Sequence, residues 1–356
     1  MSKDLDILEG LVQTSPFSFS PKPRQDDAPP LRDEFTPDLE QYARIVLFSS
    51  MGKDSVACLL HLLDLGVDRK KIQLHHHRVD GGEGSTLMDW PCTEGFAEAF
   101  ARAFDIPLFY SWRKHGFEGE LLRENCGTQP VIFTRGDGTV VEMGGERSKA
   151  STRRMFPQVS ASLQTRWCSG VVKVDVAARL LVNDPQFQDG KTLVVTGERA
   201  EESANRARYA KFELHRNDLR NGRNPRWIDH WRPVHSWSTK HVWDIAERYS
   251  VAAHPAYHLG WGRASCSGCV FGSRHQWASL RAASPAQFER IAELEDEFGV
   301  TIHRKYSVVQ LADMGTPYDM DPFWIKVATS RAYSLPIFLD EWKLPKGAFG
   351  ESCGPT

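Results

Sequence analysis

The sequence predicts an α/β fold in which a largely parallel sheet is flanked by helices and followed by a helical C-terminal extension. Short, continuous apolar runs such as "ARIVLFSS" (43–50) and "TLVVTGE" (192–198) are typical of strands buried on both faces of a parallel sheet. Segments with apolar residues at helical spacing lie between these runs. Strands that alternate with helices along a chain indicate a parallel sheet.

The individual elements follow in chain order. After the strand at 43–50, "DSVACLLHLLDLG" predicts a helix that ends near Gly66. The segment "KIQLHHHRVDGG" predicts a second strand that ends in a turn, and "CTEGFAEAFARAFDIPLFYSW" predicts a helix and a third strand. The segment "VDVAARLLVND" predicts another helix before the strand at 192–198. The histidine run in the second strand looks like a metal site, but alternation along a strand favours a packed strand end instead.

Two further segments complete this pass along the chain. The glycine-rich and charged stretch 116–160 predicts an exposed loop. The segment "SPAQFERIAELEDEFG" opens a helical region, with Ser284 as its cap and Pro285 at its first helical position.

The composition is that of an ordinary soluble globular protein. The chain has 356 residues, of which 41% are hydrophobic and 25% charged, and its net charge of −2 exerts no global attraction for nucleic acid. The first 35 residues lack the apolar segment of a signal peptide, and no apolar run is long enough to span a bilayer. The seven cysteines are too scattered for a disulfide scaffold. We therefore expect a cytoplasmic protein without a membrane partner.

A nucleotide site is predicted where the first strand meets the first helix. The connecting loop consists of Ser50, Met51, Gly52, Lys53, Asp54 and Ser55. Gly52 permits close approach of a ligand to the backbone, and the helix N-terminus offers free N–H groups to an anion. Lys53 adds positive charge, and the two serine hydroxyls add donors. Asp54 would repel a phosphate unless a cation lies between them, so the pattern implies Mg²⁺.

Four motifs in order resemble one known superfamily. The loop is similar to the S-x-G-K-D-S PP-loop of the adenine nucleotide α-hydrolases, and within them to the phosphoadenosine phosphosulfate (PAPS) reductase, or CysH-like, family. The segments "TGERAEESANR" (196–206), "WRPVHSWSTKHVWDI" (231–245) and "HPAYHLGWGRASCSGC" (254–269) resemble further elements of that family. The resemblance implies a Rossmann-like (HUP-type) sheet over residues 44–275. Residues 1–43 are then an N-terminal extension, and residues 276–356 form a helical extension with a frayed tail.

The resemblance also implies a reaction and its residues. It implies an ATP pyrophosphatase, which uses ATP with Mg²⁺ and releases pyrophosphate with AMP or an adenylylated acceptor, in sulfur transfer or nucleic-acid modification. The catalytic residues implied are Lys53, Asp54, Arg199 and Arg206. A single arginine side chain can bind two oxygens of a phosphate or sulfate group at once. Besides the loop 50–55, nucleotide contacts are implied at Asp80, Gly197, Glu198, Arg199, Glu202 and Ser203.

Three cysteines form a candidate metal site. Cys266 and Cys269 make a C-x-x-C pair, and Cys168 lies where cluster-bearing family members have a Cys-Cys pair. The resemblance therefore implies a three-cysteine [4Fe–4S] cluster with one open iron. Two alternatives stay open: Zn²⁺ with a nearby histidine as fourth ligand, and inert buried thiols.

Residues 206–227 hold seven Lys and Arg against two acidic residues, with aromatic residues alongside. This composition predicts either contact with a nucleic-acid backbone or an ordinary solvated face.

Two alternative functions stay open. One is a sulfonucleotide reductase acting on PAPS or its unphosphorylated relative, which would require Cys353, although "ESCGPT" lacks the family's catalytic context. The other is a non-catalytic ATP-binding accessory subunit of a ribonucleoprotein or defence system, which docks on its partner through residues 206–227. A protein partner in a modification or defence complex is a further expectation.

Overall fold

The computed structural model describes residues 35–160 and 162–351, and its sheet confirms the predicted α/β fold. In this part of the chain, one eight-stranded sheet has the order β5-β4-β3-β2-β1-β6-β8-β7. The strands are Arg44–Phe48 (β1), Ile72–His77 (β2), Leu108–Arg113 (β3), Val131–Thr134 (β4), Val140–Met143 (β5), Lys191–Val195 (β6), Phe212–Leu214 (β7) and Trp227–Trp231 (β8).

The helices lie between the strands and after them. They are Lys53–Asp64 (α1), Thr93–Phe104 (α2), Gly116–Leu121 (α3), Trp167–Ser169 (α4), Asp175–Asn183 (α5), Thr239–Arg248 (α6), Pro255–His258 (α7), Arg274–Ala283 (α8), Pro285–Phe298 (α9), Val308–Asp313 (α10) and Pro322–Thr329 (α11). A π-helical turn, Gly170–Val174, joins α4 to α5. No helix among the described residues is long and apolar enough to cross a membrane.

Five strands form a parallel core in the order β3-β2-β1-β6-β8. Leu47 of β1 pairs with Leu74 of β2 on one side and with Val195 of β6 on the other. The chain places β2 and β3 on one side of β1 and later places β6 and β8 on the other side. The strand order therefore reverses between β1 and β6, and in sheets of this kind ligands bind at the carboxyl ends of the strands beside such a reversal.

The central strand and the first helix form as their sequences predict. Ile45, Val46 and Leu47 are fully buried because helices cover both faces of the sheet, which explains the uninterrupted apolar run. Gly66, with a φ of +76°, lies just after α1 and allows the chain to turn back toward β2. Helix α9 begins at Pro285 as predicted, although the Ser284 side chain makes no capping hydrogen bond.

The interpretation of 116–160 as an exposed loop is wrong for a large part of that stretch. Residues 116–121 form α3, and strands β4 and β5 form an antiparallel hairpin that extends the sheet beside β3. Val131 and Phe133 are fully buried. The turn between β4 and β5 contains the dipeptide Asp137-Gly138, which is typical of hairpins. Asp137 accepts a hydrogen bond from the Thr139 amide at 2.9 Å, and Gly138 has a φ of +82°.

The C-terminal helices pack onto the sheet domain. Trp277 of α8 and Ile291 of α9 share one buried cluster with Trp243 and Trp261, which precede residue 276. The chain then returns toward α7, where the Gly347 amide donates to the Tyr257 carbonyl at 2.7 Å. The helical extension is therefore continuous in packing with the sheet domain, and the predicted boundary at 275 stays a prediction.

Candidate functional site

The loop after β1 is held by hydrogen bonds that leave its outer side open. The hydroxyl groups of Ser49 and Ser55 lie 3.0 Å apart, and Ser55 donates to the Gly52 carbonyl at 2.9 Å. Tyr257 is fully buried, and its hydroxyl oxygen accepts from the Lys53 amide at 2.9 Å. Met51 has a φ of +57°, an unusual conformation for a side chain of this size, at the point where the chain turns into α1. Such strain is commonly found at ligand-binding turns.

Four charged residues form a network beneath this loop: Lys53, Asp54, Arg199 and Glu201, which pairs with Arg199 at 2.7 Å. Asp54 accepts from the Lys53 ammonium group at 3.0 Å and from the Arg199 Nε at 2.6 Å. Arg199 also donates to the Trp237 carbonyl at 3.0 Å and to the Thr239 hydroxyl at 3.1 Å. Burial alone would raise the pKa of Asp54, but the charges of Lys53 and Arg199 hold it below its usual value. Asp54 is therefore a carboxylate already neutralised by its own protein.

This network differs from the sequence-based picture of the loop. We expected Asp54 to need a metal ion between itself and phosphate, but Lys53 and Arg199 supply that positive charge. Arg199 is only 2% exposed and is not among the residues that line the cleft, and its contact with the loop is the hydrogen bond to Asp54.

A cleft of about 600 Å³ opens at the carboxyl ends of β1, β2, β6 and β8. Of the residues predicted from sequence, those that line it are Ser50, Asp54, Ser55, Gly197, Glu198, Glu202, Arg206 and Cys266. Motifs that lie about 140 residues apart (50–55 and 196–206) and about 200 residues apart (50–55 and 254–269) in sequence thus meet at one site. Its size is within the range of about 300–1,000 Å³ usual for small-molecule sites.

The other predicted residues lie outside the lining of this cleft: Met51, Gly52, Lys53, Asp80, Arg199, Ser203, Cys168 and Cys269. Asp80 lines a neighbouring cavity, and its carboxylate accepts from the amides of Met88 at 2.9 Å and Asp89 at 2.8 Å. Burial raises the pKa of Asp80 to about 7, more than these hydrogen bonds lower it.

Several cationic residues of the cleft were missed by sequence reasoning. Lys173 lies on the π-helical turn and has no ion pair within the described part of the chain. Arg232 pairs with Glu198 at 3.4 Å, and Arg263 lies within the quoted 254–269 motif. Of these, only Arg263 could have been predicted from sequence, because it occupies a position of the 254–269 motif. Nothing in the local sequence "GVVKVD" distinguishes Lys173 from a surface lysine.

The histidine run forms a packed strand end, as predicted. His75 stacks on Phe109 with ring centroids 4.9 Å apart, and His77 lies 2.7 Å from the Ser111 hydroxyl. The Nδ1 of His76 lies 3.0 Å from the Ser49 carbonyl, which can only accept. Burial lowers the pKa of His76, so the ring is neutral and its Nε2 is an acceptor. His76 lines the cleft, a role that the packed-strand prediction did not include.

The cysteines do not form a metal site in the described structure. Among residues 35–160 and 162–351, no three or more His, Cys, Asp or Glu side chains are grouped so that they could hold a metal ion. Burial raises the pKa of both Cys168 and Cys266, which favours thiols over the thiolates that a metal requires. The predicted [4Fe–4S] cluster and Zn²⁺ site therefore receive no support from the described geometry. Cys353 lies outside the described residues.

The basic stretch 206–227 borders the cleft, and some of its charges are already paired. Arg206 pairs with Glu202, and Arg220 lies 2.6 Å from Asp229 and over the Trp227 ring at 4.4 Å. The residues of this stretch that are exposed and have no ion pair within the described part of the chain are Arg208, Arg216 and Arg223. Arg216 also lines the cleft.

Comparisons with known proteins leave the family open. No family model matches the chain. An uncharacterized 37.8 kDa protein of Escherichia phage 186, from the gpa 5′ region, is 26% identical over 134 residues, which are 38% of this chain and 38% of that protein. A crystal structure of Candida glabrata FMN adenylyltransferase with FMN and an ATP analogue is similar at a TM-score of 0.32 and 12% identity, covering 62% of this chain and 54% of that one. A score this low carries no information about the chemistry of this chain.

Proposed function

We propose that this chain is an ATP α-hydrolase of the PP-loop type, similar to the PAPS reductase family, which cleaves ATP between the α- and β-phosphates. One observation supports this above all others. The loop 50–55, the network of Lys53, Asp54 and Arg199, and the 196–206 motif converge on one open cleft at the reversal of strand order.

In this proposal the pyrophosphate part of ATP lies against the loop 50–55 at the N-terminus of α1. Free N–H groups and the helix dipole favour an anion there. Lys173, Arg206 and Arg263 bring positive charge to the cleft walls. Mg²⁺ would enter with ATP, since this ion usually binds through one or two carboxylates and the substrate phosphates. Glu198 and Glu202 face the cleft and would supply such carboxylates, each in exchange for its present ion pair with Arg232 or Arg206.

The reaction is a displacement at the α-phosphorus. An oxygen of the acceptor, or of water, forms a bond to that phosphorus while the bond to the bridging oxygen breaks and pyrophosphate leaves. Negative charge grows on the leaving group, and fixed cations stabilise it without any covalent intermediate on the protein. The mechanism contains no step through an iron–sulfur cluster.

Nucleic acid is the proposed class of acceptor, and a specific observation favours it. Arg208, Arg216 and Arg223 are exposed on a segment that borders the cleft, so a bound backbone would pass close to the reacting phosphate. Changing all three to Glu should abolish electrophoretic retardation of short single-stranded RNA or DNA. The control Arg281→Glu, on the C-terminal extension, should leave retardation unchanged. Equal retardation by both variants would remove nucleic acid from the proposal.

Product analysis tests the main proposal directly. Anaerobically purified protein is incubated with Mg²⁺ and ATP labelled at the α-phosphate, and the products are separated. AMP or an adenylylated product with pyrophosphate is expected, and Lys53→Ala should abolish it. ADP with phosphate, or normal cleavage by Lys53→Ala, would refute α-phosphate chemistry at this loop. Tight ATP binding without cleavage would favour the accessory subunit, and sulfite release from PAPS would favour the reductase.

A further inference from the structure

One carboxylate of the nucleotide cleft differs from the others that line it. The lining has five acidic residues: Asp54, Asp89, Glu198, Glu202 and Glu213. Four of them are in ion pairs with Lys53, Arg206 or Arg232, whereas Asp89 has no ion pair within the described part of the chain. A carboxylate without a neighbouring cation is the better proton acceptor, because a nearby positive charge lowers its pKa.

Asp89 is half-buried and keeps one carboxylate oxygen open. Its Oδ1 accepts from the Trp90 amide at 2.8 Å and from the Thr93 hydroxyl at 3.3 Å, at the start of α2. Its Oδ2 accepts no hydrogen bond from any described residue, and it is not among the unpartnered atoms there that are sealed from solvent. Oδ1 therefore caps the helix, while Oδ2 is an accessible acceptor.

A directed chain of hydrogen bonds holds Asp89 from behind. His254 is buried, and its Nδ1 accepts from the Ala256 amide at 3.2 Å. Burial lowers the pKa of His254 to about 3, so the ring is neutral and its Nε2 carries the proton. The Nε2 lies 3.2 Å from the Thr93 hydroxyl oxygen, which accepts this proton and donates its own to Asp89. Oδ1 is therefore always an acceptor, and Asp89 can take up a proton only at Oδ2.

Asp89 lies on a wall beside the nucleotide loop. With His76 and Val79, it lines both the cleft and a second cavity of about 220 Å³ at the carboxyl end of β2. On this wall the Nδ1 of His76 lies 3.0 Å from the carbonyl of Ser49, and the loop 50–55 follows Ser49 directly. A second substrate must come within about 3–3.5 Å of the α-phosphorus, and the second cavity offers space for one next to Asp89.

The other ionisable groups of the cleft are less suited to take up a proton. Burial lowers the pKa of the four histidines that line it, which are His76, His77, His215 and His230. Burial raises the pKa of Asp89 instead, and outweighs the opposite effects of the Trp90 amide and of the charge of Lys173. A general base works best when its pKa is near the operating pH, which favours Asp89.

We propose that Asp89 is the general base of the reaction and takes the proton of an attacking O–H group at its Oδ2. The oxygen of that group forms the bond to the α-phosphorus, while the bond from this phosphorus to the bridging oxygen breaks and pyrophosphate leaves. The proton moves to Asp89, which later releases it to solvent. Thr93 and His254 are positioning residues that act through Asp89.

This role narrows the class of acceptor. A carbonyl or carboxylate oxygen has no proton to give and needs no base, so the acceptor presents a hydroxyl group, for which water can substitute. The inference rests on the proposed function, since a general base has a role only where the α-phosphorus is attacked.

Asp89→Asn tests the base directly, because the Asn carbonyl oxygen can keep both capping hydrogen bonds and only the proton acceptor is lost. The full chain is incubated with Mg²⁺ and ATP labelled at the α-phosphate, and the release of AMP with pyrophosphate is measured. The kcat should fall at least about 100-fold, while the KM for ATP stays unchanged. The control Glu98→Gln makes the same kind of change in the second cavity, where Glu98 accepts from the Tyr110 hydroxyl at 3.2 Å, and should keep the wild-type kcat.

Two further measurements separate proton transfer from folding. Asp89→Ser keeps an oxygen that can cap α2, and added formate should raise its kcat at least about tenfold by replacing the lost carboxylate. This variant also carries the test should Asp89→Asn fail to fold. Thr93→Val should lower kcat about tenfold, as expected for the loss of one hydrogen bond to a charged group, and Thr93→Ser should restore it.

Three outcomes would overturn the inference and leave α-phosphate cleavage intact: a wild-type kcat in Asp89→Asn, a raised KM in place of a lowered kcat, or no effect of formate on Asp89→Ser. A wild-type protein that forms no AMP and pyrophosphate would refute the proposed function, and the general base with it. The activity of the wild type therefore distinguishes the two failures.

Discussion

Replacing Asp54 with Asn should weaken the folded protein and at the same time tighten its binding of pyrophosphate. The carboxylate lies between Lys53 at 3.0 Å and Arg199 at 2.6 Å, and both cations are more than nine-tenths buried. Removing one partner from a buried ion pair costs about 3–5 kcal/mol because the remaining charge is left uncompensated. We expect a value near the lower end, about 3 kcal/mol, because the amide oxygen of Asn can still accept one hydrogen bond.

The effect on ligand binding follows from the same charges. A carboxylate about 5 Å from a bound phosphate opposes it by about 3 kcal/mol per pair of unit charges at an effective dielectric constant of about 20. In the variant, Arg199 keeps its ion pair with Glu201 at 2.7 Å, but Lys53 lacks its anion, and pyrophosphate supplies one. Pyrophosphate affinity should therefore rise at least about tenfold, which corresponds to about 1.4 kcal/mol.

Urea unfolding with and without pyrophosphate measures both quantities in one experiment. Asp64→Asn is the matched control on the same helix, because Asp64 pairs with Arg248 at 3.1 Å and accepts from the Tyr249 hydroxyl at 2.6 Å, away from the cleft. It should lose stability without a change in pyrophosphate affinity. Unchanged or weaker pyrophosphate binding by Asp54→Asn would show that Asp54 does not face the phosphate, and would refute this reading of the network.

Three further changes test individual groups. Burial lowers the pKa of His75 to about 3. The neutral ring therefore stabilises the folded protein above pH 6.5, and this contribution is lost as the pH falls. In urea titrations, the free energy of unfolding of the wild type should fall by about 2 kcal/mol more between pH 8 and pH 5 than that of His75→Phe. The pKa of Asp80 is raised to about 7, so its contribution to the stability of the folded protein is present below pH 4 and lost as the pH rises through 7. Between pH 4 and pH 8 the free energy of unfolding of the wild type should fall by up to about 4 kcal/mol, and Asp80→Asn should not show this fall. Lys173→Met should weaken ATP binding about tenfold by equilibrium dialysis, whereas Lys346→Met, which breaks a surface ion pair with Asp319, should not. Equal pH profiles, or equal ATP affinities, would contradict the corresponding assignment.

The parallel core could be predicted from sequence because its signals are local. The strands in "ARIVLFSS" and "TLVVTGE" are covered on both faces of the sheet. Consecutive residues in them are therefore apolar, which is visible in the sequence. The hairpin at 131–143 was missed for the opposite reason. Its buried run is only a few residues long, its second strand is largely exposed, and charged residues surround both.

The candidate site was predictable in part. The loop 50–55 and the 196–206 motif are contiguous segments, and the sequence alone indicated an anion site with Lys53 and Asp54 at its centre. The nucleotide contact predicted for Arg199 stays a prediction, since the residue lies beneath Asp54 and outside the cleft lining. A motif specifies that an arginine is present, but the direction of its side chain depends on Trp237 and Thr239, which belong to another part of the chain.

By itself, the sequence determined the α/β class and the strand–loop–helix that presents Gly52 and Lys53, and it predicted a site for an anionic ligand. Tertiary structure alone decided that Lys173 reaches the cleft, and that His76 and Asp89 form a wall between two cavities. The physical reason is the range of each interaction. Helical and strand periodicity is set by neighbouring residues, whereas the meeting of side chains from separate strands, loops and a π-helical turn depends on how the whole sheet packs.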